Sequence, residues 1–157
     1  MAQQRIGALD GIGSIGYAAT DEDRAGIEDW FRRYDELAEK VDLDGMADLA
    51  YFPLNLVTDG DERGAFAGQW TRQQYLEGMK AAMGSGEVSM DSTRTPVFLT
   101  DSLAVVITNA SMTWDGQTQT VSYADVLVKT DGRWLFQTMI QGGWAAAMRD
   151  AEGGGVS

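Results

Sequence analysis

The chain has 157 residues, enough for one domain with a single sizeable core, and its 44% apolar and 23% charged content is ordinary for a soluble globular protein. It carries 12 basic and 24 acidic residues, a net charge of −12, which argues against nucleic acid and anionic membrane surfaces as partners. Cysteine and histidine are both absent. Their absence removes disulfides, thiol nucleophiles, Ser-His-Asp chemistry and most zinc or iron sites, so acid–base work must fall to Asp, Glu, Tyr, Lys or Arg.

No apolar run approaches the roughly 20 residues of a membrane span. The N-terminus is too glycine-rich, and too interrupted by Asp10, for a secretory signal, which makes the cytoplasm the default compartment. Residues 1–20, with Gly7, Gly11, Gly13 and Gly16, read as a flexible arm. Thr20 or Asp21 then caps an amphipathic helix carrying Ile27, Trp30, Phe31, Tyr34, Leu37, Ala38 and Val41 at spacings of three and four. The run Asp42-Leu-Asp-Gly breaks it. Leu43, Met46, Ala47 and Leu49 form a second short helix, which Pro53 closes by restricting Phe52.

Asn55 to Asp59 reads as a strand, Gly60-Asp61-Glu62 as a turn, and Arg63 to Gly68 as the return strand. Thr71 caps a third helix through Tyr75, Leu76, Met79, Ala82 and Met83, ending near Gly84. Four strands follow, over about 88–98, 103–114, 119–129 and 134–140. Turns fall at Thr100-Asp101, Asp115-Gly116 and Thr130-Asp131-Gly132, the last a strong hairpin signal. The final residues, 149–157, read as a disordered tail. One domain over 21–148 is therefore expected, of α+β class: helices packed on a mostly antiparallel, strongly curved sheet that leaves a cone-shaped apolar pocket.

Alternation on the strand around Val121 to Lys129 puts Val121, Tyr123, Asp125 and Leu127 on one face. A carboxylate among such neighbours either titrates unusually or has a dedicated partner, for which Arg94 and Arg133 are candidates. Arg94 itself reads as a surface strand residue. Asn109 and Ser111 share a strand face with Val105 and Ile107, which either lines the pocket or is partly wet. Gln137 and Met139 are further lining candidates, and Trp144 is the tryptophan placed to reach a pocket.

This element order, with the Asp131-Gly-Arg-Trp134 turn, resembles the nuclear transport factor 2-like (NTF2-like, SnoaL-like) superfamily over about residues 21–148. Within it the segments around Arg33-Tyr34, Tyr51 to Gly68, Tyr123-Ala-Asp125-Val-Leu127 and Gln137 to Trp144 look like those of the ketosteroid isomerases. That resemblance implies Tyr34 and a protonated Asp125 as hydrogen-bond donors to an enolate oxygen, with Asp59 as general base. Together with the strand-face reading, the substrate-binding candidates are Trp30, Tyr51, Asn109, Tyr123, Met139 and Trp144, with no metal and no cofactor expected. Such a chain transfers protons on a small apolar carbonyl compound. It also implies a homodimer paired through the outer sheet face.

Two alternatives stand beside this. One is a non-catalytic binding or assembly domain of the same fold, and the other is a biosynthetic cyclase or dehydratase. An epoxide hydrolase-like site is disfavoured, because Ser111-Met-Thr113 and Met139 stand where Arg-x-Asp and a second Asp are needed. Scytalone dehydratase-like and SnoaL-type cyclase sites lean on histidine, which is lacking.

Overall fold

The computed structural model describes residues 17–62, 64–83, 89–114, 116–145 and 148. Most of the expected arm and all of the expected tail lie outside the described residues, as does the expected helix end at Gly84.

Helix α1 spans Asp21–Glu39 and begins with a capping box. The Thr20 hydroxyl accepts from the Asp23 backbone N–H at 3.1 Å, and the Asp23 carboxylate accepts from the Thr20 N–H at 2.9 Å. The same carboxylate accepts from the Tyr17 hydroxyl at 2.6 Å, tying residue 17 to the first turn. Ile27, Trp30 and Phe31 form the buried stripe that the spacing predicts. Helix α2 spans only Leu43–Ala47 and is capped by Asp42, whose side chain accepts from Gly45 N–H. Helix α3 spans Arg72–Met83. Thr71 and Gln74 cap it reciprocally through each other's backbone N–H groups. Trp70 lies flat against this helix at Gly78, where any side chain would collide with the indole ring.

Six strands form one sheet: β1 (Ala50–Asp61), β2 (Gly64–Trp70), β3 (Ser89–Phe98), β4 (Leu103–Trp114), β5 (Gln117–Thr130) and β6 (Arg133–Gln141). Their order across the sheet is β2-β1-β6-β5-β4-β3, antiparallel throughout except for the parallel β1–β6 pair. The β5–β6 hairpin turns at Asp131 and Gly132, with φ of 50° and 75°. Positive φ at both central residues marks the tight turn that matches strand twist, and Asp-Gly is its favoured pair.

Two expectations are corrected. Pro53 does not close α2; it lies inside β1, which begins at Ala50, five residues before the strand start read from the sequence. On β4 the interior face is the even-numbered one. Ala104, Val106, Thr108 and Ala110 are buried, while Leu103 and Ile107 are 42% and 44% exposed. Asn109 and Ser111 therefore belong to the outer face.

The inner face is arranged in rows across the strands. Phe98, Ala104, Leu127, Phe136 and Ala50 form one row, and Pro96, Val106, Asp125, Met139, Leu56 and Gly68 the next. Arg94, Thr108, Tyr123 and Gln141 form a third. A register shift between Val126 and Leu127 accommodates the extra residue Gln137 in β6. Phe136 and Met139, three apart, can then both be buried on the helix side. Among the described residues no helix is long and apolar enough to cross a membrane.

Candidate functional site

The middle of the inner face holds a polar group inside an aromatic wall. Trp30 stacks on Tyr34 with centroids 5.5 Å apart, and Phe136 meets Trp30, Tyr34 and Tyr75 edge-on or tilted at 5.8, 5.9 and 5.9 Å. Phe52 packs on Tyr75 from the other side. These rings come from α1, α3, β1 and β6, and their hydroxyl-bearing members point at β5.

Asp125 stands opposite them. It is 8% exposed, with the Arg94 guanidinium the charge that acts on it. Burial pushes its pKa up to about 7, and the Arg94 guanidinium pulls the other way without cancelling the effect. Below that pH the group is a neutral acid able to donate a hydrogen bond. Tyr34 is half-buried as a residue, but its hydroxyl end is deep. Burial, then the neighbouring Tyr75, Asp125 and Tyr123, raise it well above the ordinary phenol value. Tyr75 is raised by burial and by Asp125, while the nearby Tyr34 hydroxyl opposes the shift. The Tyr75 hydroxyl is fully buried with no closed hydrogen bond, so the two phenols approach each other without satisfying it.

Arg94, read from the sequence as a surface residue, is the main surprise. Its side chain is 15% exposed and makes a two-pronged ion pair with Asp35 of α1, at 2.6 and 2.8 Å. The guanidinium lies 4.2 Å above the centroid of Phe31. Burial works against its charge, but the hydrogen bonds and charge of Asp35 outweigh that and raise its pKa. It is therefore not a direct partner of Asp125. Arg133, the other candidate partner, is exposed and donates to the Asp48 carbonyl at 3.4 Å. Tyr123 is raised by burial, with Arg94 and Thr108 near enough to offset part of the shift.

The remaining residues fall elsewhere. Met139 pairs directly with Asp125 across β5–β6. Met139 also lines, with Leu56, Val57, Gln141 and Trp144, a shallow depression of about 160 Å³. Trp144 packs against Trp70 at 6.1 Å and donates its backbone N–H to the Thr58 hydroxyl. Asp59 is exposed near the same turn. Its carboxylate accepts from Gly143 N–H at 3.3 Å, and a side chain at Gly142 would lie 2.7 Å from it. It does not join the buried group around Asp125. Tyr51 is 47% exposed, and Asn109 is on the outer face, where it accepts from the Ser122 hydroxyl at 2.6 Å. Neither touches the interior cluster. The sequence does not single out Thr108 or Tyr75 as site residues, and it offers Arg94 only as a partner for Asp125. The signal for Thr108 and Arg94 was their shared cross-strand row with Tyr123. Among the described residues no group of three or more carboxylates is placed to hold a metal.

No family model matches the sequence, and no curated protein does. Solved structures do match. An NTF2-like protein of unknown function from Pseudomonas putida KT2440 superposes with a TM-score of 0.64 at 11% identity, covering 80% of this chain and 89% of that one. Another from Shewanella oneidensis MR-1 gives 0.60 at 17% identity, covering 76% and 98%. A candidate scytalone dehydratase from Novosphingobium aromaticivorans gives 0.58 at 16% identity, covering 76% and 82%. The fold is thus that of NTF2-like proteins: helices packed on a six-stranded, mostly antiparallel sheet. At these identities the likeness carries the fold and no activity.

Proposed function

We propose that the chain binds a small, largely apolar carbonyl compound between the helices and the inner sheet face and moves a proton on it without a cofactor. One observation carries this reading: a buried carboxyl, neutral below about pH 7, near two phenols whose hydroxyl ends burial also keeps protonated. The Tyr75 hydroxyl beside it is buried without a partner among the described residues, which costs about 1–3 kcal/mol, so its retention favours a ligand that completes it. Tyr34 and neutral Asp125 donate to the carbonyl oxygen and stabilise the charge that develops there as a proton leaves carbon. Their raised pKa values keep both protonated for that role. The aromatic wall of Trp30, Phe136 and Tyr75 supplies the apolar contact. In this reading the ligand enters past the depression at Met139 and Trp144.

Asp59 is the base in this reading, solvated at that rim and one turn from Trp144. To act it must exchange its bond to Gly143 for the substrate. That structural bond also favours a second reading, in which the same interior only binds the compound. Deuterium exchange beside the carbonyl of a panel of enones and ketones separates the two. Proton transfer predicts that Asp59→Asn slows exchange at least a hundredfold with ligand affinity kept, since general-base catalysis contributes about 10²–10⁴. Equal, slow exchange in both proteins leaves the binding domain. The partner in this reading is a second copy of the chain on the outer face. There Val97, Leu99, Leu103, Ile107 and Ile140 form an exposed apolar surface that can pair with itself.

A further inference from the structure

The third inner row ends in polar atoms that nothing satisfies. Thr108 is fully buried, and its hydroxyl has no hydrogen-bond partner among the described residues. The same is true of the Arg94 Nε–H, although both Arg94 terminal nitrogens are taken by Asp35. Both groups lie close to the Tyr123 hydroxyl, and the three residues are direct cross-strand neighbours on β3, β4 and β5. The ion pair with Asp35 and the stacking on Phe31 fix the guanidinium, so Nε is held in place and does not swing to find a partner. Two residues along a strand separate this row from Asp125, roughly 7 Å.

We propose that Arg94, Thr108 and Tyr123 form a second oxygen-binding subsite, one cross-strand row from Asp125. The ligand of this pocket then carries a second, neutral oxygen acceptor besides its carbonyl. This rests on the carbonyl-pocket reading above and names its substrate class more closely. All three groups can donate, which calls for an acceptor such as an ether, ketone or hydroxyl oxygen. A carboxylate is the wrong partner. Arg94 is already neutralised by Asp35, so an anionic ligand would add an unbalanced buried charge next to Asp125. The subsite also gives the pocket an orientation: the carbonyl end meets Tyr34 and Asp125, and the second oxygen meets the Arg94 row.

Three naphthols test this by fluorescence titration at pH 6: 6-methoxy-2-naphthol, its isostere 6-ethyl-2-naphthol, and 6-hydroxy-2-naphthoate. The expected result is that the wild type binds the methoxy compound about two- to tenfold tighter than the ethyl compound, the worth of one net hydrogen bond. Thr108→Val and Tyr123→Phe should bring that ratio towards one. Thr108→Val removes a hydroxyl that has no partner, so the fold should tolerate it. Equal binding of the methoxy and ethyl compounds by the wild type overturns the subsite alone. So does a ratio that neither variant changes, or tightest binding by the naphthoate. If no naphthol binds the wild type, the carbonyl-pocket reading falls and takes the subsite with it.

Discussion

The two faces of β4 are equally apolar in sequence and opposite in role. Ala104, Val106, Thr108 and Ala110 lie against the helices, and Leu103, Val105, Ile107 and Asn109 look outward. The polar members show the contrast best. Asn109, on the outside, has a partner in Ser122, whereas Thr108, inside, has none. In a sheet with one wet face, polar groups are free outside and satisfied inside. Here the pattern is reversed, as a site completed by a ligand would require. Apolar alternation shows that two faces exist. It does not show which is inside when both are apolar.

The inner face should respond most strongly to change, and through Asp125 it should also respond to pH. The folded protein holds this proton up to about pH 7, whereas the unfolded chain releases it near the ordinary value of 3.8. Between those values the unfolded state binds fewer protons. Stability from this group is therefore full below about pH 4 and is lost as pH rises to about 7. Asp125→Asn abolishes that dependence. The variant should gain roughly 4 kcal/mol relative to wild type between pH 4 and pH 8, read from urea midpoints at each pH. Parallel curves would falsify the buried neutral acid.

Leu127, fully buried in the neighbouring row, measures packing on the same face without any charge. Leu127→Ala should cost about 3 kcal/mol at every pH, within the usual range for a buried leucine. A loss under 1 kcal/mol would mean that this row is not the core.

The outer face should give the smallest effect on stability and the clearest effect on assembly. Ile107→Lys is expected to change the stability of the isolated chain by no more than about 0.5 kcal/mol. If the outer face pairs two copies, the wild type sediments as a dimer and the variant as a monomer. A monomeric wild type at high concentration removes the second copy from the proposal.

The fold was legible in the sequence where local chemistry acts alone. Thr20 with Asp23, the apolar stripe Ile27-Trp30-Phe31, and the Asp131-Gly132 turn each specify their own geometry within a few residues. Asp125 stood out because a carboxylate among apolar neighbours is expensive wherever it is placed. What could not be read depends on strands far apart in the chain. Arg94 looked like a surface residue because its partner, Asp35, comes from a helix 59 positions away. Pro53 looked like a helix stop because the strand that accepts it is defined by pairing with β2 and β6. The inward turn of both Phe136 and Met139 rests on a bulge that simple alternation does not anticipate.

The place of β6 in the sheet has a consequence for how the chain is made. It is the last strand in sequence, yet it sits between β1 and β5 and, among the described residues, is the only strand that joins the β1–β2 hairpin to the other three. The amide of Phe136 reaches back to the carbonyl of Leu49, and β1 pairs with β6 in parallel. Until residues 133–141 leave the ribosome, the sheet exists as two fragments. Each fragment presents an open edge, β1 on one side and β5 on the other, with apolar side chains beside it. Such edges pair readily with other chains. A nascent chain stalled before Arg133 is thus an aggregation hazard, and the long-range closure through β6 makes assembly of this sheet slow for its size.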